Sequence, residues 1–253
     1  MVLWSTYFTC FLPSGRSALK ALILAAGKGE RLKGVVDDIP KPMIRFKGKP
    51  ILQHNVELCR SFGIDEICIN THHLGNVIQS YFGDGSRFGV RIHFSRETEM
   101  LGTAGALNNF RDILDGAPFL VLYGDNYSNI DLNSLAAEKN KHDCIGVVAF
   151  HFREDVSHSG VGEFAEDGRI LRFVEKPIPG TTDSHWVNAG VYIFSQEVLQ
   201  HIPPGFSDFA KDIIPALLDK NIPLYGVLSH THLKAFDTPE MLRDSMGQQG
   251  DTE

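Results

Sequence analysis

The feature that most constrains the fold is an apolar run that passes directly into a loop of small residues. Residues 20–25 (Lys-Ala-Leu-Ile-Leu-Ala) are almost continuously apolar, which is typical of a strand buried on both faces of a parallel sheet. The following residues, 26–29, include two glycines. Small residues let backbone N–H groups approach a phosphate group closely. The segment therefore predicts a strand followed by a phosphate-binding loop.

Two cations, Arg31 and Lys41, follow this loop. Their charge can balance a polyphosphate, which suggests a bound nucleoside triphosphate. The loop is not a P-loop, because no Lys-Ser/Thr pair closes it. It also lacks the third glycine of a dinucleotide fingerprint, since Leu32 stands at that position. A glycine-rich turn that binds no ligand is the alternative interpretation.

Composition limits the classes of protein that remain. The chain has 253 residues, 43% of them hydrophobic, and a net charge of −7, enough for one large α/β domain or two small ones. Because no basic run is present, nucleic acid is not an expected partner. Four scattered cysteines indicate reduced thiols in a cytoplasmic protein. The apolar stretch at 2–12 is too short to span a membrane, so residues 1–19 are interpreted as an N-terminal extension and no membrane partner is expected.

Hydrophobic patterning predicts alternating strands and helices in the first 150 residues. Strands are predicted at 20–25, 66–70, 90–94, 119–123 and 145–150, and helices at 50–63, 76–82, 104–114 and 132–141. This alternation favours a doubly wound α/β sheet. In such folds ligands bind beyond the carboxyl ends of the strands. Gly27, Gly102 and Asp125 should therefore lie along one edge.

The pattern becomes richer in β-structure after residue 150. It predicts a hairpin at 162–174, strands at 187–194 and 224–228, and a helix at 208–220. We expect this part to serve as a lid or floor of the same domain, not as a separate domain. Residues 20–243 then form one domain, and residues 244–253 form a C-terminal tail.

Several motifs resemble one family, in the order that the family has them. Leu24–Leu32 and Pro40–Met43 are similar to the signature elements of the sugar-1-phosphate nucleotidyltransferases. Residues 101–105, Leu-Gly-Thr-Ala-Gly, are most similar to the mannose-1-phosphate guanylyltransferase type. The resemblance implies the nucleotide-diphospho-sugar transferase fold: a Rossmann-like, doubly wound mixed sheet with a smaller β-rich sugar-binding or lid region. It also implies a nucleotide-binding half at 20–150 and a sugar-binding half at 151–243.

The resemblance further implies a set of site residues. Arg31, Lys41 and Lys176 would be catalytic. The nucleotide would be bound by Leu24, Ala25, Ala26, Gly27, Gly29, Leu101, Gly102 and Thr103, and Thr103 can also cap the next helix. The sugar phosphate would be bound by Gly160, Glu175, Lys176, Asn188 and Gly190.

Two carboxylates are the candidate metal ligands. Asp125 ends a predicted buried strand, and Mg²⁺ usually takes one or two protein carboxylates and leaves its other positions to phosphates and water. Asp237 is the second candidate, although the family's usual Asp position falls at Ala235 in this chain. Each aspartate can instead be a local cap or turn residue. The implied cofactor is Mg²⁺.

The reaction implied is nucleotidyl transfer from an NTP, by expectation GTP, to a sugar 1-phosphate such as mannose 1-phosphate. The products are an NDP-sugar for polysaccharide biosynthesis and pyrophosphate. A cytidylyl-, uridylyl- or thymidylyltransferase is the nearest alternative. Glu30, where the family usually has Thr, and Ala235 support a third interpretation, a weakly catalytic regulatory subunit that binds nucleotide sugars. The sequence leaves the oligomeric state, including a homo-oligomer, open.

Overall fold

The computed structural model describes residues 19–27, 29, 32, 38–230, 233–236, 240 and 242. Its strands are β1 Lys20–Leu24, β2 Arg45–Phe46, β3 Lys49–Pro50, β4 Glu66–Thr71, β5 Arg91–Arg96, β6 Phe119–Tyr123, β7 Asn126–Ser128, β8 Gly146–Phe152, β9 Gly160–Phe164, β10 Ile170–Glu175, β11 Trp186–Phe194, β12 Leu224–Ser229 and β13 Leu233–Ala235. Its α-helices are α1 Ile51–Ser61, α2 Gly75–Phe82, α3 Gly102–Gly105, α4 Arg111–Leu114, α5 Leu132–Lys141 and α6 Ile214–Asp219.

Nine of the described strands join one mixed sheet, in the order β10-β9-β11-β6-β1-β4-β5, with β8 paired to β11 and β12 to β8. The four strands β6, β1, β4 and β5 run parallel. Strand β11 is antiparallel to both β6 and β8. The carboxyl ends of β1, β4 and β6 therefore share one edge, and this is the edge where the sequence predicts ligands.

Helices cover both faces of the sheet, as a doubly wound fold requires. Side chains alternate along β1, so that Ala21 and Ile23 face one core while Leu22 faces the other. The first core is closed by α1, α2 and α5, and the second by α3, α4 and α6. The predicted fold class is confirmed.

The predicted helix at 104–114 is not continuous. It consists of α3, a 3₁₀ segment at Ala106–Phe110, and α4. The predicted helix at 208–220 likewise begins as a π-helical turn at Phe209–Ile213 before α6. Backbone hydrogen bonds join the starts of these two segments: the N–H groups of Ala104 and Gly105 donate to the carbonyl of Ser207, at 3.0 and 3.1 Å. The two helices are thus tied to each other at their starts.

The second half of the chain extends the sheet. The hairpin of β9 and β10 curls back so that its turn contacts β12: the N–H of Gly226 donates to the carbonyl of Gly168 at 2.9 Å. The ring of Phe164 fills the space beside Gly226, where a Cβ would lie 2.3 Å from it. The turn of this hairpin is therefore packed against β12.

Cys59, Cys68 and Cys144 are buried free thiols among the described residues. Burial raises the pKa of both Cys59 and Cys68 to about 12, so these thiols stay protonated and unreactive at neutral pH. Within the described part of the chain, no helix is long and apolar enough to cross a membrane.

Candidate functional site

The first loop, residues 25–32, leaves the carboxyl end of β1. The N–H of Ala25 donates to Asn70 Oδ1 at 2.9 Å, and the carbonyl of Leu24 accepts from the N–H of Gly124 at 2.8 Å. Gly27 is exposed, and a Cβ added there would meet nothing within 4 Å. Backbone hydrogen bonds therefore fix the start of the loop, and Gly27 borders open space.

Lys41 and Asp125 meet beside this loop. Lys41 begins a 3₁₀ turn with Pro42, and its Nζ lies 2.5 Å from Asp125 Oδ2. The Lys41 side chain is only 9% exposed, whereas that of Asp125 is 34% exposed. A Cβ on Gly29 would stand 3.8 Å from the Cβ of Lys41. Three segments that are distant in sequence thus place a cation and a carboxylate at one point.

Two predicted site residues, Arg31 and Asp237, lie outside the described residues, as does Glu30, the departure from the family pattern. The chain that leads to Asp237 is described as far as Phe236. Strand β13 pairs antiparallel with β7, so that Ala235 is opposite Asn126. Phe236 is buried against Phe46, with ring centroids 5.4 Å apart. The C-terminal segment therefore passes directly beside the Asp125 turn.

The second loop, residues 97–105, carries the predicted nucleotide-binding residues Leu101, Gly102 and Thr103. Gly102 has a positive φ of 74°, and a Cβ there would lie 2.3 Å from the carbonyl oxygen of Ser207. The N–H of Ser207 donates to the carbonyl of Leu101 at 2.9 Å. Gly102 is required by this backbone approach, whether or not a ligand also uses the space.

Thr103 does not cap its own helix. Its Oγ1 donates to Asp208 Oδ2 and accepts from the N–H of Phe209, both at 2.9 Å. The hydroxyl therefore satisfies a donor at the start of the helix at 209–219. The expectation that Thr103 caps the helix after it was wrong, because the tertiary contact with Asp208 takes the hydroxyl instead.

Sequence reasoning missed Asn70 and Glu97. Asn70 is 2% exposed and Glu97 is 4% exposed. Asn70 Nδ2 donates to Glu97 Oε1 at 2.8 Å, and Glu97 Oε2 accepts from the N–H of Leu101 at 3.0 Å. The signal was a polar residue at, or just after, the carboxyl end of two neighbouring strands, β4 and β5. Together these residues join the first loop to the second.

Strand β10 ends at Glu175, and the next residue, Lys176, has a strained backbone. Lys176 has a φ of 52°, in the left-handed region, immediately before Pro177, a position where the helical regions are disfavoured. Its N–H donates to the carbonyl of Ser159 at 3.0 Å. Burial raises the pKa of Glu175, the charge of Asp208 also raises it, and the charge of Lys176 lowers it. The surroundings therefore disfavour the ionised carboxylate.

Asn188 and Gly190 form an irregular stretch of β11. The N–H of Gly190 donates to Asn188 Oδ1 at 3.0 Å, and Asn188 Nδ2 donates to the hydroxyl of Tyr192 at 2.6 Å. Gly190 has a φ of 68°, and a Cβ there would lie 2.6 Å from Cγ of Tyr123. The space beside the glycine is filled by a tyrosine ring, and the Asn188 side chain shapes the backbone around it.

Tyr123 connects the second loop with the predicted sugar-binding residues. Its hydroxyl accepts from that of Tyr192 at 3.2 Å. Burial raises its pKa, as does the charge of Asp208, while a hydrogen bond with Thr103 lowers it. Gly160 lies beside Glu175, since a Cβ there would approach Phe173 at 2.5 Å and Glu175 Oε2 at 2.9 Å. Thr103, Glu175, Asn188 and Gly190 are therefore gathered around one tyrosine pair.

The described site offers few groups that could hold a metal. No three His, Cys, Asp or Glu side chains of the described residues cluster closely enough to do so. Asp125 is the partly exposed carboxylate that lies beside the first loop. A single carboxylate fits Mg²⁺, which commonly takes its remaining ligands from phosphates and water.

The chain is similar to known proteins over most of its length. The family model described as nucleotidyl transferase matches residues 20–232. A UTP–glucose-1-phosphate uridylyltransferase of Synechocystis sp. is 38% identical over 83% of this chain and 58% of that protein. The catalytic subunit beta of a Dictyostelium discoideum mannose-1-phosphate guanylyltransferase is 35% identical over 79% of this chain and 56% of that protein. The chain thus spans somewhat more than half the length of these relatives.

The fold also has a close counterpart among solved structures. A proposed glucose-1-phosphate thymidylyltransferase from Bacillus anthracis superposes with a TM-score of 0.82, covering 93% of this chain and 97% of that chain at 23% identity. At that identity the likeness concerns the fold.

Proposed function

Because this chain belongs to the nucleotidyl transferase family, we propose that it transfers a nucleotidyl group from an NTP to a sugar 1-phosphate and releases pyrophosphate. We propose GTP as the preferred nucleotide and mannose 1-phosphate or a related hexose phosphate as the acceptor. The guanylyltransferase relative and the Leu-Gly-Thr-Ala-Gly sequence at 101–105 support this choice. Residues 20–150 then bind the nucleotide, and residues 151–243 bind the sugar phosphate.

One observation carries the proposal: the 2.5 Å contact between Lys41 Nζ and Asp125 Oδ2 beside the first loop. A cation and a carboxylate side by side match the two needs of a metal–triphosphate complex. Lys41 would bind phosphate oxygens through its ammonium group, and Asp125 would hold the metal through its carboxylate. A partly exposed ion pair contributes little to the stability of a fold. Stability alone therefore gives little reason for this pair, whereas a ligand-binding role does.

The chemistry needs positioning more than proton transfer. The attacking atom is a phosphate oxygen, which is already ionised at neutral pH. Arg31 and Lys41 would hold the triphosphate and neutralise the charge that develops on pyrophosphate, and Lys176 would orient the attacking phosphate. The left-handed backbone of Lys176 supports this role, since strained residues persist mainly where surrounding structure and function require them.

Mg²⁺ held by Asp125 would supply charge neutralisation at the α-phosphate. Asp237 is the proposed second ligand. It follows Ala235, which pairs with Asn126 beside Asp125, by only two positions in the sequence. This short tether supports Asp237 despite its shifted position in the sequence.

The sugar would bind around the tyrosine pair. Asn188 and the backbone at Gly190 contact the tyrosine pair, and Glu175 lies beside Gly160, so these residues would present donors and acceptors at fixed positions. Fixed polar groups discriminate strongly between hydroxyl arrangements, because a mismatched sugar leaves them unpaired. The three buried free thiols support a reducing compartment, and we propose the cytoplasm.

The decisive experiment measures pyrophosphate release with each NTP against a panel of sugar 1-phosphates in the presence of Mg²⁺. We expect the highest kcat/KM with GTP and a mannose-type acceptor. A uridylyl, cytidylyl or thymidylyl preference would correct the nucleotide alone. No turnover with any pair, together with GDP-sugar binding in calorimetry, would replace the enzyme by a nucleotide-sugar-binding regulatory subunit.

The Asp125→Asn variant tests the site itself. We expect kcat to fall roughly 100-fold to 1,000-fold, because the substitution removes the negative charge that would hold the metal. The thermal unfolding curve should be retained. Asp65→Asn is the matched control, since Asp65 is exposed just before β4, at the opposite end of the sheet. Equal activity of the two variants would refute the metal assignment.

A further inference from the structure

Asn70 and Glu97 form a buried hydrogen-bonded connection that the proposed chemistry does not use. Four groups take part in sequence: the Ala25 N–H donates to Asn70 Oδ1 at 2.9 Å, Asn70 Nδ2 donates to Glu97 Oε1 at 2.8 Å, and the Leu101 N–H donates to Glu97 Oε2 at 3.0 Å. Its two ends are the starts of the first and second loops. The connection is shielded from solvent, with both side chains less than 5% exposed.

The carboxylate fixes the direction of this connection. An ionised carboxylate can only accept hydrogen bonds, so both groups that face Glu97 must be donors. Asn70 must then turn its NH₂ group toward Glu97, which leaves its carbonyl oxygen for Ala25. The backbone of Glu97 is held as well, because its N–H donates to the carbonyl of Thr71 at 2.7 Å and its carbonyl accepts from His72 Nδ1 at 2.9 Å.

We propose that Asn70 and Glu97 are positioning residues that hold the first and second loops at a fixed separation, so that the two ends of one nucleotide bind to them together. This inference rests on the proposed function, in that the ligand shared by the two loops is an NTP. A buried carboxylate next to a polyanion site is otherwise unfavourable. The pair acts through the backbone of Ala25 and Leu101.

The hydrogen-bond polarity allows a sharp test by reversal. In Glu97→Gln, the new amide NH₂ group faces either Asn70 Nδ2 or the Leu101 N–H, so that two donors meet and one acceptor is lost. In Asn70→Asp, two carboxylates face each other. In the double variant every donor again has an acceptor. The new carboxylate at position 70 would accept from the Ala25 N–H and from the new amide at position 97, and the oxygen of that amide would accept from the Leu101 N–H. The net charge is that of the natural protein.

We expect each single variant to raise the KM for the NTP roughly tenfold or more, the range that follows from leaving a buried donor or charge unsatisfied. The KM for the sugar 1-phosphate should change much less. The double variant should return to within about threefold of the natural protein. Glu66→Gln is the matched control, because Glu66 lies at the opposite end of β4 from Asn70 and pairs with Lys20, Arg91 and His93.

Hydrogen exchange without nucleotide separates this inference from the proposed function. Amides of Ala25 and Leu101 should exchange faster in both single variants and regain protection in the double variant, even if the protein transfers no nucleotide. Single variants with an unchanged KM, or a double variant no better than the singles, would overturn the inference. A double variant that regains amide protection but keeps the raised KM would also overturn it, because Glu97 would then contact the nucleotide directly.

Discussion

The first loop and the middle of β11 both depend on glycine, but for opposite reasons. At Gly27 a side chain would meet nothing within 4 Å, whereas at Gly190 it would overlap the ring of Tyr123 at 2.6 Å. Both glycines follow from the same sequence argument, that a ligand must approach the backbone. The structure leaves one space open and fills the other with the protein itself. A glycine pattern therefore locates a close approach without identifying the approaching group.

Among the substitutions that test this contrast, Gly190→Ala should have the largest effect. Alanine at a φ of 68° carries backbone strain, and its Cβ would overlap Tyr123, so we expect the free energy of unfolding to fall by about 2–4 kcal/mol. Chemical denaturation measures this loss. Gly27→Ala is the control and should change stability by less than about 0.5 kcal/mol. Similar losses at the two positions would contradict the contrast drawn between them.

The second prediction concerns how the stability of the β-rich half depends on pH through His151. Burial lowers the pKa of His151 to about 4, with the charge of Arg153 acting in the same direction. Because the unfolded chain binds this proton near pH 6.5 and the folded protein does not, stability should fall as pH drops from about 6.5 to 4. The contribution of this one group approaches roughly 2–3 kcal/mol.

Denaturation curves of the natural protein and of His151→Gln, recorded between pH 7 and pH 4, measure that contribution. The difference between the two proteins should shrink or reverse toward acid pH. Parallel curves across this range would show that His151 is protonated equally in both states.

The sequence predicts the parallel half of the sheet better than the contacts between loops. Predicted strands at 66–70 and 119–123 agree with β4 and β6 within one residue, because 119–123 is an unbroken apolar run and 66–70 alternates as a short strand does. Asn70 and Glu97 could not be paired in advance, since they are 27 positions apart and Asn70 is 45 positions from Ala25. The contact of Ser207 with the N–H groups of Ala104 and Gly105 is equally remote in sequence, and it satisfies donors that a helix start leaves free. Local patterns predict an element, whereas such tertiary contacts have to be seen in the structure.

The third prediction separates strain from charge at Lys176. Lys176→Gly and Lys176→Ala both remove the ammonium group and should lower kcat similarly, by roughly tenfold or more. Glycine also relieves the left-handed backbone, so the glycine variant should be more stable than the alanine variant by about 1 kcal/mol. Steady-state kinetics and denaturation of the two proteins provide the measurement. Equal stability would show that the turn carries no strain.

The smallest effect is expected at Glu175. Its pKa is raised in the folded protein by burial and by Asp208, so protonation favours folding and that contribution is lost as pH rises through the raised pKa. Glu175→Gln should therefore be slightly more stable at pH 7, by roughly 1–2 °C in Tm, and the gain should vanish near pH 4. Activity should fall at the same time, if the carboxylate binds a sugar hydroxyl. A destabilised variant would mean that Glu175 supports the fold.

Strand β1 has a consequence for synthesis of the protein. Ala21–Leu24 pairs with β4 on one side and with β6 on the other, and both partners emerge from the ribosome later than β1 does. Translation adds about 5–20 residues per second, so roughly 100 residues of delay leave this apolar strand without its second neighbour for about 5–20 s. A pause in translation ahead of β6 would lengthen that exposure, and the yield of soluble protein should depend on codon choice between residues 72 and 118.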